Sequence, residues 1–144
     1  MTSPLILLRH GAAGLPRPVP VEFATLILPA SPNTCLAGPP EYRGPKHVTV
    51  PPFAERPVAL WQRLGTMAAA QPRTWKLADW PERRQGQWVE RSALMNYPDI
   101  IAAEVQPHPQ GSALLIYSRS LLGWSDLGAN ARRVAAWLAA LRNA

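Results

Sequence analysis

Residues 117–141 read YSRSLLGWSDLGANARRVAAWLAAL, and the fold turns on how this stretch is parsed. It divides into a strand end at Tyr117 to Ser120, a corner at Gly123-Trp124, a polar cap and an amphipathic helix. Ser125 or Asp126 can accept hydrogen bonds from the first free amides of a helix, so the helix is predicted to begin there. On a wheel of about 100° per residue, Leu127, Val134, Trp137, Leu138 and Leu141 share one face, with Asn130 on the same side. Arg132 points away and Arg133 lies at the border. A helix with such a face has to lie on another layer, and the sequence before it supplies a sheet.

From Thr74 to Ser120 the apolar pattern has period two. Trp75-Lys76-Leu77, Gln87 to Leu94, Ile100 to Val105 and Ser112 to Ser120 are each of strand length. The breaks PERRQG, MNYPD and QPHPQG carry turn residues and are too short for crossovers, which predicts a four-stranded antiparallel meander. Before it, Pro57 suits the first position of a helix, and Leu60, Trp61, Leu64, Met67 and Ala68 fall at helical spacing over Val58 to Ala70. Twelve of the 17 prolines lie at or before Pro57, so the first third cannot be regular helix or central strand. Within it Val21 to Leu28 is the best strand candidate, His47 to Phe53 begins as a short strand, and Pro32-Asn33-Thr34 and Gly38-Pro39-Pro40 are turn signals. The expected fold class is α+β: an antiparallel β-meander with an early helix and a long C-terminal helix packed on one face, and a proline-rich extended N-terminal segment. The expected organisation is an N-terminal extension over residues 1–20 and a single domain over 21–144.

Composition limits the function classes. A chain of 144 residues buries a core without staples, and a lone cysteine, Cys35, excludes an internal disulfide and a paired-cysteine metal framework. The net charge is +6, and 13 of the 15 basic residues are Arg. Arginine suits planar anions; the simpler reading, which is preferred, is bacterial-like usage in a GC-rich genome. No basic run exceeds two residues, so no strong nucleic-acid signal is present. The apolar stretch Leu5 to Leu8 is too short for a signal or a span. A cytoplasmic location is expected, with peripheral membrane association open, and no cofactor or metal is expected.

The run Ser118, Ser120, Gly123, Ser125-Asp126-Leu127-Gly128 and Asn130, followed by Arg132-Arg133, resembles the signature of the domain of unknown function 1499 family. The segment SPNTC around Cys35 resembles that family's Ser-Pro-Asn-Cys opening with one residue inserted, and Val89 to Asp99 resembles its Arg-Ser strand and hairpin acid. The resemblance runs from about Phe23 onward. It implies a fold and no activity, and it implies an export or membrane segment upstream in many relatives. It also implies an Arg two residues before the glycine, where this chain has Leu121. In element order the expected fold resembles helix-grip and lipid-transfer-like folds.

Several residues carry chemistry and have a structural role as well. Leu8-Arg9-His10-Gly11 copies the phosphohistidine loop of histidine phosphatases, where Arg holds a phosphoryl group and imidazole accepts it. That chemistry needs a second His, a second Arg and an acid, and neither His47 nor His108 is suitably placed, so it is a remote alternative. The better constellation is Arg91, Asp99, Arg119, Asp126 and Asn130. Arg91 and Arg119 lie in apolar strands, where a guanidinium needs a partner, so an ion pair of either with Asp126 or Asp99 is the preferred reading. The alternative is that Arg119, on the face of Tyr117, lines a groove that holds an anion. Asp126 serves as a cap, and Asn130 can reach the loop at Ser31 to Asn33, while a helix N-terminus also favours anions. Cys35 has no neighbouring base and is expected to be a buried thiol. Trp61, Trp88 and Trp137 read as core, and Trp80 and Trp124 as loop residues free to meet a partner. The expected function is a non-enzymatic binding or accessory module for a protein partner or a small anionic or apolar ligand. The alternative is a small hydrolase or transferase using Arg91, Asp99, Arg119 and Asp126.

Overall fold

In the structure, a computed structural model that describes residues 4–143, two helices lie on one face of a mixed six-stranded sheet. The fold is α+β. The strands are β1 (Thr34–Gly38), β2 (Val48–Thr49), β3 (Thr74–Trp80), β4 (Gln85–Arg91), β5 (Pro98–His108) and β6 (Gly111–Ser120), in the order β2-β1-β6-β5-β4-β3. Each of β3 to β6 pairs antiparallel with the next, and β1 adds antiparallel to β6. Parallel pairing of β1 with the two-residue β2 makes the sheet mixed.

The helices are α1 (Pro57–Ala69) and α2 (Ala129–Arg142). Pro57 opens α1, where its missing amide costs nothing, and Leu60, Leu64 and Ala68 are buried at its four-residue spacing. These residues join Val134, Trp137 and Leu141 of α2 and a row from the sheet, Cys35, Trp88, Ile101, Leu114 and Ile116, in the larger core cluster. Trp88 and Trp137 meet edge to face with centroids 5.5 Å apart. Phe53 bridges back to Ser112 beside the β5–β6 turn. Gly111 has φ +131° there, and a Cβ on it would stand 2.2 Å from the Phe53 carbonyl oxygen, so only glycine fits.

Several expectations are corrected. Val21 to Leu28 forms no strand: Phe23–Thr25 is a short 3-10 turn, because the segment is bounded by prolines and lies across a face of the sheet instead of along an edge, with Val21 bonded to the Gln85 side chain. The strand in this region is β1, directly after the predicted turn. Helix α2 begins three to four residues later than expected, and Leu127 is not on its buried face but 86 % exposed in a left-handed conformation (φ 52°). Trp80 is the last residue of β3 and not a loop residue.

The second face of the sheet carries a smaller cluster, Phe23, Leu36, Ala102, Leu115 and Tyr117, covered by Val21, Leu26, Leu28 and Tyr42. Segments before β1 therefore lie across this face as a strap. Gln85 holds the strap at both polar groups of Val21, accepting from its amide at 2.7 Å and donating to its carbonyl at 2.9 Å, and Gln87 donates to the Val19 carbonyl. Extended backbone has unspent polar groups, and side-chain amides aimed up from the sheet satisfy them in place of a ladder.

Candidate functional site

The five predicted site residues fall on two different faces of the sheet. Asp99 lies on the helix-covered face with Ile101, and Asp126 and Asn130 meet it at the start of α2. Arg91 and Arg119 belong to the strap-covered face, Arg119 in step with Tyr117 and Leu115. The grouping of Arg91, Arg119, Asp99 and Asp126 in one cluster therefore does not form, and neither arginine pairs with either acid.

On the helix face the missing partner is Arg133. Its Nε donates to Glu90 at 2.6 Å and its Nη2 to Asp99 at 2.8 Å, while Nη1 donates to Asn130 Oδ1 and Ser118 Oγ. Glu90, Asp99 and Ser120 are successive cross-strand neighbours on β4, β5 and β6, so register alone lines up their side chains beneath α2. Asn130, fully buried, accepts from the Ser118 hydroxyl and donates to the Asn33 carbonyl, Ser120 Oγ and Asp126 Oδ2. Asp126 in turn accepts from the amides of Gly128 and Asn130. It thus does a cap's work from ahead of the helix, with Gly128 (φ 83°) turning the chain between them.

The protonation of these acids follows their surroundings. Burial pushes the Asp99 carboxyl above its ordinary value, and the Arg133 charge and the Ser120 hydroxyl oppose this only in part. For Asp126 burial also pushes upward, but the amide and side chain of Asn130 and the amide of Gly128 outweigh it and hold the carboxyl below its usual range. Cys35 is buried, and burial with the nearby Asp126 charge raises its thiol, which makes it a poor nucleophile.

On the strap face the two arginines have opposite fates. Arg91 is 1 % exposed and spends its guanidinium on backbone carbonyls: Nε donates to Gly11, Nη1 to Ile6 and Asn96, and Nη2 to Ala13. It is a clamp on the chain before residue 14. Arg119 is half-buried, and its guanidinium makes no hydrogen bond or ion pair among the described residues. It lines a groove of about 910 Å³ between the strap and β6, whose walls include Val21, Leu26, Leu28 and Tyr117. Burial raises the Tyr117 hydroxyl above its usual value, and the positive charge of Arg119 partly opposes it. The preferred expectation of an ion pair at Arg119 is thereby overturned.

The three imidazoles are dispersed. His10 packs edge-on against Trp75, His47 accepts from the Leu36 amide, and His108 meets Glu41 at 2.9 Å. Arg9-His10-Gly11 follows a 3-10 turn and precedes another turn, not the strand-to-helix junction that the phosphohistidine loop needs. No group of three His, Cys, Asp or Glu residues that could hold a metal occurs among the described residues.

Sequence reading missed Arg133 and Glu90. A signal for Arg133 existed in its spacing of three from Asn130, which puts both on one helical face. Glu90 alternates with Trp88, and a core tryptophan on a strand predicts that its second neighbour faces the same layer.

The family model described as Protein of unknown function (DUF1499) matches residues 27–141. No curated protein and no solved structure matches the chain.

Proposed function

We propose that this chain, which belongs to the DUF1499 family of proteins of unknown function, is a binding module that takes an anion with an apolar tail into the groove beneath its N-terminal strap. The observation that carries this reading is Arg119. A half-buried guanidinium without a partner retains its capacity for bidentate bonding, and a carboxylate or phosphate is the group that satisfies it. Leu26, Leu28 and Val21 beside it offer apolar wall for a chain attached to that head group. The other acids and the second arginine of the expected constellation support binding over catalysis, because Asp99, Asp126 and Arg91 are occupied with fixed protein groups.

The test is calorimetric titration with dodecanoate, and with dodecanol as the uncharged control. Dodecanoate binds one-to-one, dodecanol binds more weakly, and Arg119→Ala lowers dodecanoate affinity about tenfold to a hundredfold, as expected for a charged hydrogen bond of about 1.5–3 kcal/mol. The urea midpoint of Arg119→Ala stays at the wild-type value, since the guanidinium has no hydrogen-bond or ion-pair partner among the described residues. Absence of dodecanoate binding, or binding untouched by the substitution, refutes the reading.

A further inference from the structure

The loops at one end of the sheet carry most of the exposed large apolar side chains. Strand register puts the β4–β5 loop, the chain after β6 and the approach to β3 at the same end, since Arg91 faces Pro98, Asp99 faces Ser120 and Thr74 faces Glu90. The N-terminal 3-10 turn is tied to this end as well, because Asn96 donates to the carbonyls of Leu7 and Arg9. Exposed here are Leu8 (82 %), Leu94 (91 %), Met95, Tyr97, Trp124 and Leu127 (86 %). A monomer surface rarely gathers so many without a use.

Carboxylates are sorted along the same axis, although arginines occur at both ends. Arg9, Arg73 and Arg132 are exposed at the apolar end. The three acids nearby are withdrawn: Glu90 and Asp99 are spent on Arg133, and Asp126 on helix amides. The remaining acids lie toward the other end, with Asp79 and Glu82 at the β3–β4 turn, Glu41 on His108, and Glu22 on Arg83 of that turn. Two copies of the chain meeting through the apolar end would oppose arginine to arginine with no free carboxylate to relieve them.

We infer that this end docks on the interface of an anionic lipid bilayer, with Leu94 and Leu127 in the acyl boundary and Arg9, Arg73 and Arg132 at the head groups. Leucines inserted to a shallow depth beside tryptophan, tyrosine and arginine are the side-chain set that a water–hydrocarbon boundary selects. Among the described residues no helix is long and apolar enough to cross a membrane, and the side chains that this surface presents lie in loops and turns. The Arg119 groove is lined at the same end by Leu121 and Gly123, but the docking surface stands on its own residues and is tested without any groove ligand.

Flotation with phosphatidylcholine vesicles, with and without about a third of phosphatidylserine, tests this. The wild-type chain floats with the anionic vesicles and is released by salt. The Leu94→Glu, Leu127→Glu double variant loses at least about tenfold in partitioning, whereas Val58→Glu, at an exposed position on α1, does not. Bilayers with brominated acyl chains quench Trp124, and Trp124→Phe removes that component, a reading that needs no destabilising substitution. The inference is overturned by failure of the wild-type chain to float with anionic vesicles, whether or not it forms a dimer or holds a protein partner instead, by equal flotation of wild type and double variant, or by equal binding to neutral and anionic vesicles.

Discussion

Replacing Arg133 by Met removes the cation beneath α2 while keeping most of its volume. The side chain is 8 % exposed, and its loss leaves the Glu90 and Asp99 carboxylates, 18 % and 11 % exposed, without their common counter-ion. Breaking a buried pair from one side costs about 3–5 kcal/mol, a large share of the roughly 5–15 kcal/mol that holds a domain folded. With a urea slope of about 2 kcal/mol per molar, the midpoint should fall by about 2 M. The penalty also has a pH signature. Burial raises the Asp99 carboxyl above its unfolded value, so the native state binds its proton more tightly and loses stability as pH climbs from the unfolded value to the folded one. Without Arg133 that upward push grows, and at low pH the protonated acid needs no counter-ion. Urea unfolding of wild type and variant at pH 4 and pH 8 should therefore show a clearly larger penalty at pH 8. A penalty below about 1 kcal/mol, or one equal at the two pH values, would refute the claim that this ion pair is buried and structural.

Other substitutions separate the remaining parts. Asp126→Ala should cost about 1–2 kcal/mol at neutral pH, the range for a lost helix cap. Because its carboxyl is held below the ordinary range, that contribution is complete above the unfolded value and fades as acid takes the pH through the folded one; acid titration of stability should lack this component in the variant. Arg91→Met should release the chain around Gly11 while the helix-face core keeps its near-ultraviolet dichroism, and trypsin should cleave after Arg9 at least about tenfold faster, the equivalent of one charged hydrogen bond of about 1.5 kcal/mol. Equal cleavage rates would mean that the three bonds from Arg91 to Ile6, Gly11 and Ala13 hold nothing.

What could be read in advance was what depends on period and on caps. The helical spacing of Leu60, Leu64 and Ala68 and of Val134, Trp137 and Leu141 identified the buried faces of both helices. The contact of Asn130 with the Asn33 loop followed from its place on the inner side of α2. The strap was misread because Val21 to Leu28 has strand composition, and composition does not say whether a segment runs along a sheet edge or across a sheet face. Leu127 was misplaced because extending the helical wheel backward presumed helix where Gly128 breaks it. The pairing of arginines was the largest error. Burial demands that a guanidinium be satisfied, but carbonyls serve as well as carboxylates, as Arg91 does with the N-terminal segment. Which of several arginines meets Asp99 depends on how α2 is rotated over the sheet, and that rotation fixed on Arg133.

The division of labour among the arginines can be observed directly through the Nε–H resonances of the labelled protein. On titration with dodecanoate the Arg119 signal should shift and saturate, while those of Arg91 and Arg133, already bonded to protein groups, should hold their positions. A stationary Arg119 signal, or a saturable shift at Arg133, would contradict the assignment of the groove as the binding site and of the helix-face network as its frame.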